Sequence, residues 1–230
     1  MASITLRYFD CRGRAQPLRF FFTHLDAPFM DERVPFTDGW EAWSKIKGDP
    51  LASGPFGKLP VLQWDERLLA ETGPIYSFVQ AQLAPSSSIG GILEAQSALS
   101  DDLAQLYELL NLDMVAPGAD IGEVANRVHS SLVDSFQRYE ALLSRNENPF
   151  DPPQFHSVAS FWLLEVWQLT QVLLGTSADA LIEGLLGLQS VLHEMSLLPA
   201  VAEAEEVIPQ FWSARPDEPE RLLQLHAGLV

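Results

Sequence analysis

A phenol stands at the end of the first strand-like stretch. Ile4, Leu6 and Tyr8 alternate with Thr5 and Arg7, and a loop containing Gly13 follows at once. Alternation of this kind marks a strand with one apolar face. A side chain at its end can face a cleft, so Tyr8 is the first candidate for a catalytic group. The same pattern also fits a half-buried strand tyrosine. Arg12 and Arg14 flank Gly13 and supply fixed cations. Cys11 lies beside them, and neighbouring arginines lower a thiol pKa, so a nucleophilic Cys11 is the competing candidate. Glu71-Thr72 opens a helix-like run with Pro74 in its first turn. A hydroxyl there can accept a hydrogen bond from the first-turn amides, and the free amides attract a carboxylate. The five histidines are scattered, without zinc-site spacing, so no metal is expected.

The elements that must position these residues follow from period and punctuation. Residues 4–8 read as a strand and 10–14 as a loop. Pro17 sits in the first turn of a helix carrying Leu18, Phe21, Phe22 and Leu25, where its missing N–H would be unpaired anyway. Residues 29–34 read as a second strand, 39–47 as a short helix or irregular segment, and 49–57 as a loop. Strands are expected at 59–63 and 68–70, then a helix that Thr72 caps, with Ile75, Phe78 and Val79 on its apolar face. The order is β-α-β-(irregular)-β-β-α. A polar linker at 83–91 follows. After it only helical periodicity appears, over 92–115, 121–143, a Ser157-capped helix with Phe161, Leu164, Trp167 and Leu174, then 178–195 and 199–207. A proline-rich break at 146–155 separates the second and third of these. The expectation is an α/β domain over 1–82 and an all-helical domain over 92–230.

The bulk numbers bound the function. The chain has 230 residues, 47% of them hydrophobic, enough for a large core. A formal charge of -17 argues against nucleic acid and anionic membranes as partners. One cysteine excludes an intramolecular disulfide and fits a reducing compartment. The N-terminus lacks the apolar run of a secretory signal. No stretch approaches the roughly 20 uncharged apolar residues of a membrane span. A soluble cytoplasmic protein is expected.

Three stretches together resemble the glutathione-binding domain of the Tyr-type glutathione transferases, closest to the sigma class. They are Tyr8-Phe9-Asp10-Cys11-Arg12-Gly13-Arg14-Ala15-Gln16-Pro17, Phe56-Gly57-Lys58-Leu59-Pro60-Val61-Leu62, and Glu71-Thr72. Each is weak alone, but they occur in the right order on the right expected elements. The helical half is similar only in layout. Where the family often opens a central helix with hydroxyl-x-x-Asp, this chain has Ser157-Val158-Ala159-Ser160, without the aspartate.

The resemblance implies a thioredoxin-like N-terminal domain that binds glutathione, an all-α domain completing an apolar electrophile pocket, and a homodimer. It gives Tyr8 the task of stabilising the glutathione thiolate. A free cysteine thiol has a pKa of about 8.5. Lowering it by two units takes roughly 2.7 kcal/mol, and one hydrogen bond to a charged group supplies about 1.5–3 kcal/mol. A single phenol is therefore the right size. The resemblance further implies that Arg14 lines the tripeptide site. Only about 5–6% of X–Pro bonds in folded proteins are cis, but the resemblance implies a cis Leu59-Pro60, which would turn the Leu59 backbone toward the cysteinyl residue like an added strand, with Lys58 assisting. Glu71 and Thr72 would hold the γ-glutamyl end. Trp40 with Lys45 is the favoured donor pair for the glycine carboxylate, and Trp43 with Lys47 reproduces the family's W-x-x-x-K spacing as the alternative. Asp101 or Asp102 is the candidate to reach across a dimer. Phe9, Arg12, Tyr107, Asn111 and Met114 are expected around the electrophile. The expected activity is conjugation, with isomerase or peroxidase side activity. The alternatives are thiol transfer through Cys11, or a non-catalytic binding or structural role.

Overall fold

The computed structural model describes residues 2–86, 89–111, 118, 120–145, 147–151, 153–202 and 208–228. The chain divides into two compact units, Met1–Ser86 with Leu198–Pro216, and Ser87–Leu197 with Asp217–Val230.

The first unit is built on a four-stranded mixed sheet in the order β2-β1-β3-β4. Its strands are β1 (Ile4–Phe9), β2 (Met30–Val34), β3 (Val61–Trp64) and β4 (Arg67–Ala70). β1 runs parallel to β2 and antiparallel to β3, and β3 is antiparallel to β4. The alternation in β1 is the physical cause of its orientation: Ile4, Leu6 and Tyr8 are buried, and the residues between them are half-buried. Helix α1 (Gln16–His24) is buried along one continuous run, Gln16 to Phe22. Helix α2 (Glu41–Ile46) is capped by the Asp38 carboxylate, which accepts from the Glu41 and Ala42 amides at 3.1 and 3.0 Å. Within the segment read as a loop there is a further turn of helix, α3 (Pro50–Ser53). Asp49 accepts from the Leu51 amide to start it, and Pro50 fixes its first φ. Helix α4 (Thr72–Leu83) buries Ile75, Tyr76, Val79 and Gln80, so Tyr76 takes the place expected for Phe78.

The second unit is helical: α5 (Ile89–Leu110), α6 (Ile121–Leu143), α7 (Val158–Leu174), a 3-10 stretch (Gly175–Ile182) and α8 (Leu186–Ser196). A short α9 (Pro199–Ala202) packs on α1 in the first unit, and α10 (Glu218–Gly228) closes the second. Gly90 and Gly91, assigned to a linker, lie inside α5. The single helix expected over 178–195 is broken, because Gly184 has φ +80 and a new helix starts after it. That start has no cap of its own. The Glu140 carboxylate of α6 supplies one, accepting from the Gly187 and Leu188 amides. Ser157 caps α7 as expected, accepting from the Ala159 amide, while Ser160, standing where the family has aspartate, donates to the Phe150 carbonyl. Contrary to the expectation from sequence, the stretch Val158–Ile182 is long and apolar enough by length and composition to cross a membrane, but its most apolar part is mostly buried inside the protein, as a core helix is. The expected ends at 112–115 and 203–207 lie outside the described residues.

Candidate active site around Tyr8

The sheet register gathers three separate sequence stretches at one end. Arg7 pairs with Val61, and Val61 with Ala70. The next residues toward that end are Tyr8, Pro60 and Glu71. The exit of β1, the approach to β3 and the exit of β4 into α4 are therefore neighbours. Leu59-Pro60 is cis. Among the described residues, neither the N–H nor the C=O of Leu59 has a hydrogen-bond partner. A free donor and acceptor at a strand end can pair with an extended peptide. Glu71 holds φ 70 and ψ 137, a positive-φ conformation that costs a non-glycine residue about 1–3 kcal/mol. Thr72, expected to cap α4, is instead its first helical residue, one position past the cap, and its hydroxyl bonds to nothing among the described residues. The Glu71 side chain does not cap either. The Thr72 and Gly73 amides at this helix start have no described partner, as the first amides of a helix have none within it.

Tyr8 is only 9% exposed. The Arg14 amide donates to its Oη at 3.2 Å. That bond uses a lone pair and leaves the hydroxyl proton, which has no acceptor among the described residues. Burial pushes the phenol pKa up and the nearby Cys11 adds to the rise, while the Arg14 amide and the Arg14 and Arg19 charges oppose it. The net direction is upward, so Tyr8 is a proton donor at neutral pH and not a base. Gly13, at φ +46, lets the loop lie against the ring, because a Cβ there would stand 2.5 Å from Tyr8 Cε1 and 2.6 Å from Oη. The Arg14 carbonyl accepts from Tyr76 Oη at 2.8 Å. Tyr76 is one turn beyond Thr72, so this bond ties the start of α4 to the Tyr8 loop.

An aromatic cluster continues the site. The Phe9 ring meets Tyr8 at 5.7 Å, Trp40 at 5.5 Å and Trp43 at 5.3 Å, all edge to face. Both tryptophans thus reach Phe9, Trp40 with a left-handed backbone at φ 68. Lys45 is exposed and paired with Glu41 at 2.7 Å. Lys47 and Lys58 are exposed, with no ion pair among the described residues.

Four residues that sequence reasoning passed over hold this loop. They are Arg19, Tyr76, Phe211 and Trp212. Arg19 is fully buried, with Nε on both Asp31 oxygens at 3.1 Å and Nη1 on the Cys11 carbonyl at 2.9 Å. The Arg12 and Gly13 amides donate to the Phe211 and Trp212 carbonyls at 2.7 and 2.8 Å. These bonds bring the late segment back into the first unit. Arg12 is 6% exposed, and its guanidinium lies 4.0 Å from the Trp212 ring centroid. Cys11 is 1% exposed. An arginine between Leu18 and Phe20–Phe22 was the available signal, since a guanidinium inside an apolar helix must find partners.

No protein-family model matches the chain. A solved structure of monomeric Na-GST-3, a glutathione S-transferase from the hookworm Necator americanus, superposes with a TM-score of 0.73 at 20% identity, over 90% of this chain and 98% of that one. The fold is that of the glutathione transferases. Among curated proteins, glutathione S-transferase 4 of Caenorhabditis elegans is 33% identical over 107 residues, 46% of each chain. Human hematopoietic prostaglandin D synthase is 38% identical over 108 residues, 47% of this chain and 48% of the relative. The chain thus spans about half the length of the curated relatives it matches.

Of the candidates in the helical unit of this glutathione transferase fold, Tyr107 sits on α5 and Asn111 directly follows its last residue. Tyr107 is half-buried, and Asn111 turns its side-chain amide back onto the Tyr107 carbonyl at 2.8 Å. Met114 lies outside the described residues. Asp102, one of two aspartates considered for a role across a dimer, points inward. Its carboxylate is 3% exposed and accepts from Ser135 Oγ at 2.9 Å and from Tyr139 Oη. Asp101 is the exposed one. Burial raises the Asp102 pKa, against the Tyr139 and Ser135 hydrogen bonds that lower it.

Proposed function

We propose that this protein is a glutathione transferase of the Tyr-dependent type, nearest the sigma class, that transfers the glutathione thiolate to apolar electrophiles. The observation carrying this is the state of Tyr8. Its oxygen is capped by the Arg14 amide, its pKa is pushed upward, and its proton has no acceptor among the described residues. A buried donor left in that condition asks for a ligand. A thiolate at that point takes the proton's hydrogen bond, and its pKa falls. The sulfur then forms the carbon–sulfur bond, and the displaced group leaves with the electron pair.

The rest of the tripeptide follows the sheet end. Leu59 pairs with the cysteinyl backbone, and the free Thr72 and Gly73 amides with the Thr72 hydroxyl receive the γ-glutamyl carboxylate. Glu71 takes the ammonium, its positive-φ backbone aiming it away from an ordinary cap. Arg14 lines the site. Lys58 assists Leu59, and Trp40 with Lys45 serves the glycine carboxylate; the exposed Lys45–Glu41 pair is weak enough to yield. Phe9, whose ring meets Tyr8 edge to face, serves the electrophile. The similarity to a prostaglandin D synthase supports isomerisation as a use of the same thiolate. Deep burial of Cys11 speaks against thiol transfer through it. A homodimer in the cytoplasm completes the reading.

The test is turnover of a chromogenic electrophile. Wild type turns it over. Tyr8→Phe loses about 10- to 100-fold in kcat/KM, the worth of one hydrogen bond to an anion. Cys11→Ser stays near wild type. The opposite ranking contradicts the proposal.

A further inference from the structure

The Tyr8 hydroxyl is aimed by a loop, and the loop is held by a segment two hundred residues later. The Arg14 amide donates to Oη at 3.2 Å, and Gly13 lies against the hydroxyl end of the ring. Two consecutive amides of the same loop, Arg12 and Gly13, are bonded to the Phe211 and Trp212 carbonyls. Cys11 and Phe211 form a parallel bridge at the same place. Two backbone bonds do not choose a register by themselves. Side chains choose it here. The Arg12 guanidinium sits between Trp212, at 4.0 Å, and Phe20, at 5.6 Å. Phe211 meets Phe36 edge to face at 5.3 Å. Cation–π contact is strongest when desolvated, and Arg12 is 6% exposed.

We propose that Arg12 and Trp212 form a positioning pair that sets the direction of the Tyr8 hydroxyl, and with it the acidity of the bound thiol. The inference rests on the Tyr8 reading above. Neither residue touches the sulfur. Each acts through the loop that carries the Arg14 amide. The charged and titratable groups acting on Tyr8 are Cys11, Arg14 and Arg19, on the loop and on α1. Arg19 holds the far side of the loop through the Cys11 carbonyl, so the loop is gripped from two sides. Releasing one grip lets the Arg14 amide move relative to Oη. The phenol then loses its fixed lone-pair partner, and its proton is aimed less well.

The experiment measures kcat/KM for a chromogenic electrophile against pH at saturating glutathione. In Trp212→Ala and in Arg12→Gln, the acid limb moves up by about one pH unit, kcat/KM at neutral pH falls about tenfold, and the double variant adds little to either single one. Trp212→Phe, which keeps a ring face, recovers most of the loss. Calorimetric glutathione affinity changes less than about threefold, because a positioning effect is felt at the sulfur and not in the peptide contacts. If Trp212→Ala does not fold, Arg12→Gln carries the same test. An unmoved limb in these variants, or losses that simply add in the double variant, overturns the pair. Tyr8→Phe is run alongside. A limb unmoved there tells against the Tyr8 reading itself, while a limb that moves there and not in the pair variants tells against the pair alone.

Discussion

Gly13, five positions along the chain from Tyr8, stands directly against the phenol. A methyl group at that position would overlap Tyr8 Cε1 at 2.5 Å, with the backbone at φ +46. Gly13→Ala is therefore expected to cost about 1–2 kcal/mol from the left-handed backbone alone. Displacing the ring costs activity on top of that. A kcat/KM drop as large as that of Tyr8→Phe, with the fold retained by circular dichroism, would match this; a variant with wild-type turnover would not. Short local patterns in the sequence mark the places of Tyr8, Arg14, Leu59, Glu71 and Thr72 (a strand end, a glycine loop, an X–Pro step, a helix start), and the sheet register brings those stretches to one end. The Arg12–Trp212 contact was not legible, because two hundred residues separate the partners and no local pattern joins them. The capping role read for Thr72 failed for a different reason. Sequence shows that a helix begins, but not which of two adjacent residues keeps the non-helical backbone.

Helices of the second unit were legible where their apolar period ran unbroken. α6 carries Val124, Val128, Leu132 and Phe136, and all are buried. The period hid the break at Gly184, since apolar residues continue on both sides of it and the cap comes from Glu140 of another helix. The α5–α6 packing holds a buried polar node, Asp102 with Ser135 and Tyr139. Tyr139→Phe removes a donor from a buried carboxylate and is expected to destabilise by about 2 kcal/mol. The sign of its pH dependence follows from the carboxyl. Burial raises the Asp102 pKa in the folded state, so its contribution is fully present below the unfolded pKa and is lost as pH rises through the folded one. Tyr139 opposes that rise only while the carboxylate is charged. Chemical denaturation should therefore show a larger penalty at neutral than at acid pH; a penalty that is equal at both, or larger in acid, would refute this account of the node.

At the scale of the molecule, the two units were legible as an α/β half and a helical half. The return of Leu198–Pro216 to the first unit was not, since nothing in its composition says which half it pairs with. The formal charge of -17 belongs to this scale too. It sets solubility and not the fold. If the first unit binds glutathione, ligand at a hundredfold excess over Kd stabilises by about 2.7 kcal/mol. A chain of this size then gains several degrees in Tm. A scan showing no shift at any glutathione concentration would count against the site. The most direct test of the central claim is spectroscopic titration of the bound thiol, following thiolate absorbance in wild type and in Tyr8→Phe. The account predicts a bound thiol titrating about two units below the free value in wild type and returning close to it without the phenol. A bound thiol that titrates like free glutathione in wild type would contradict it.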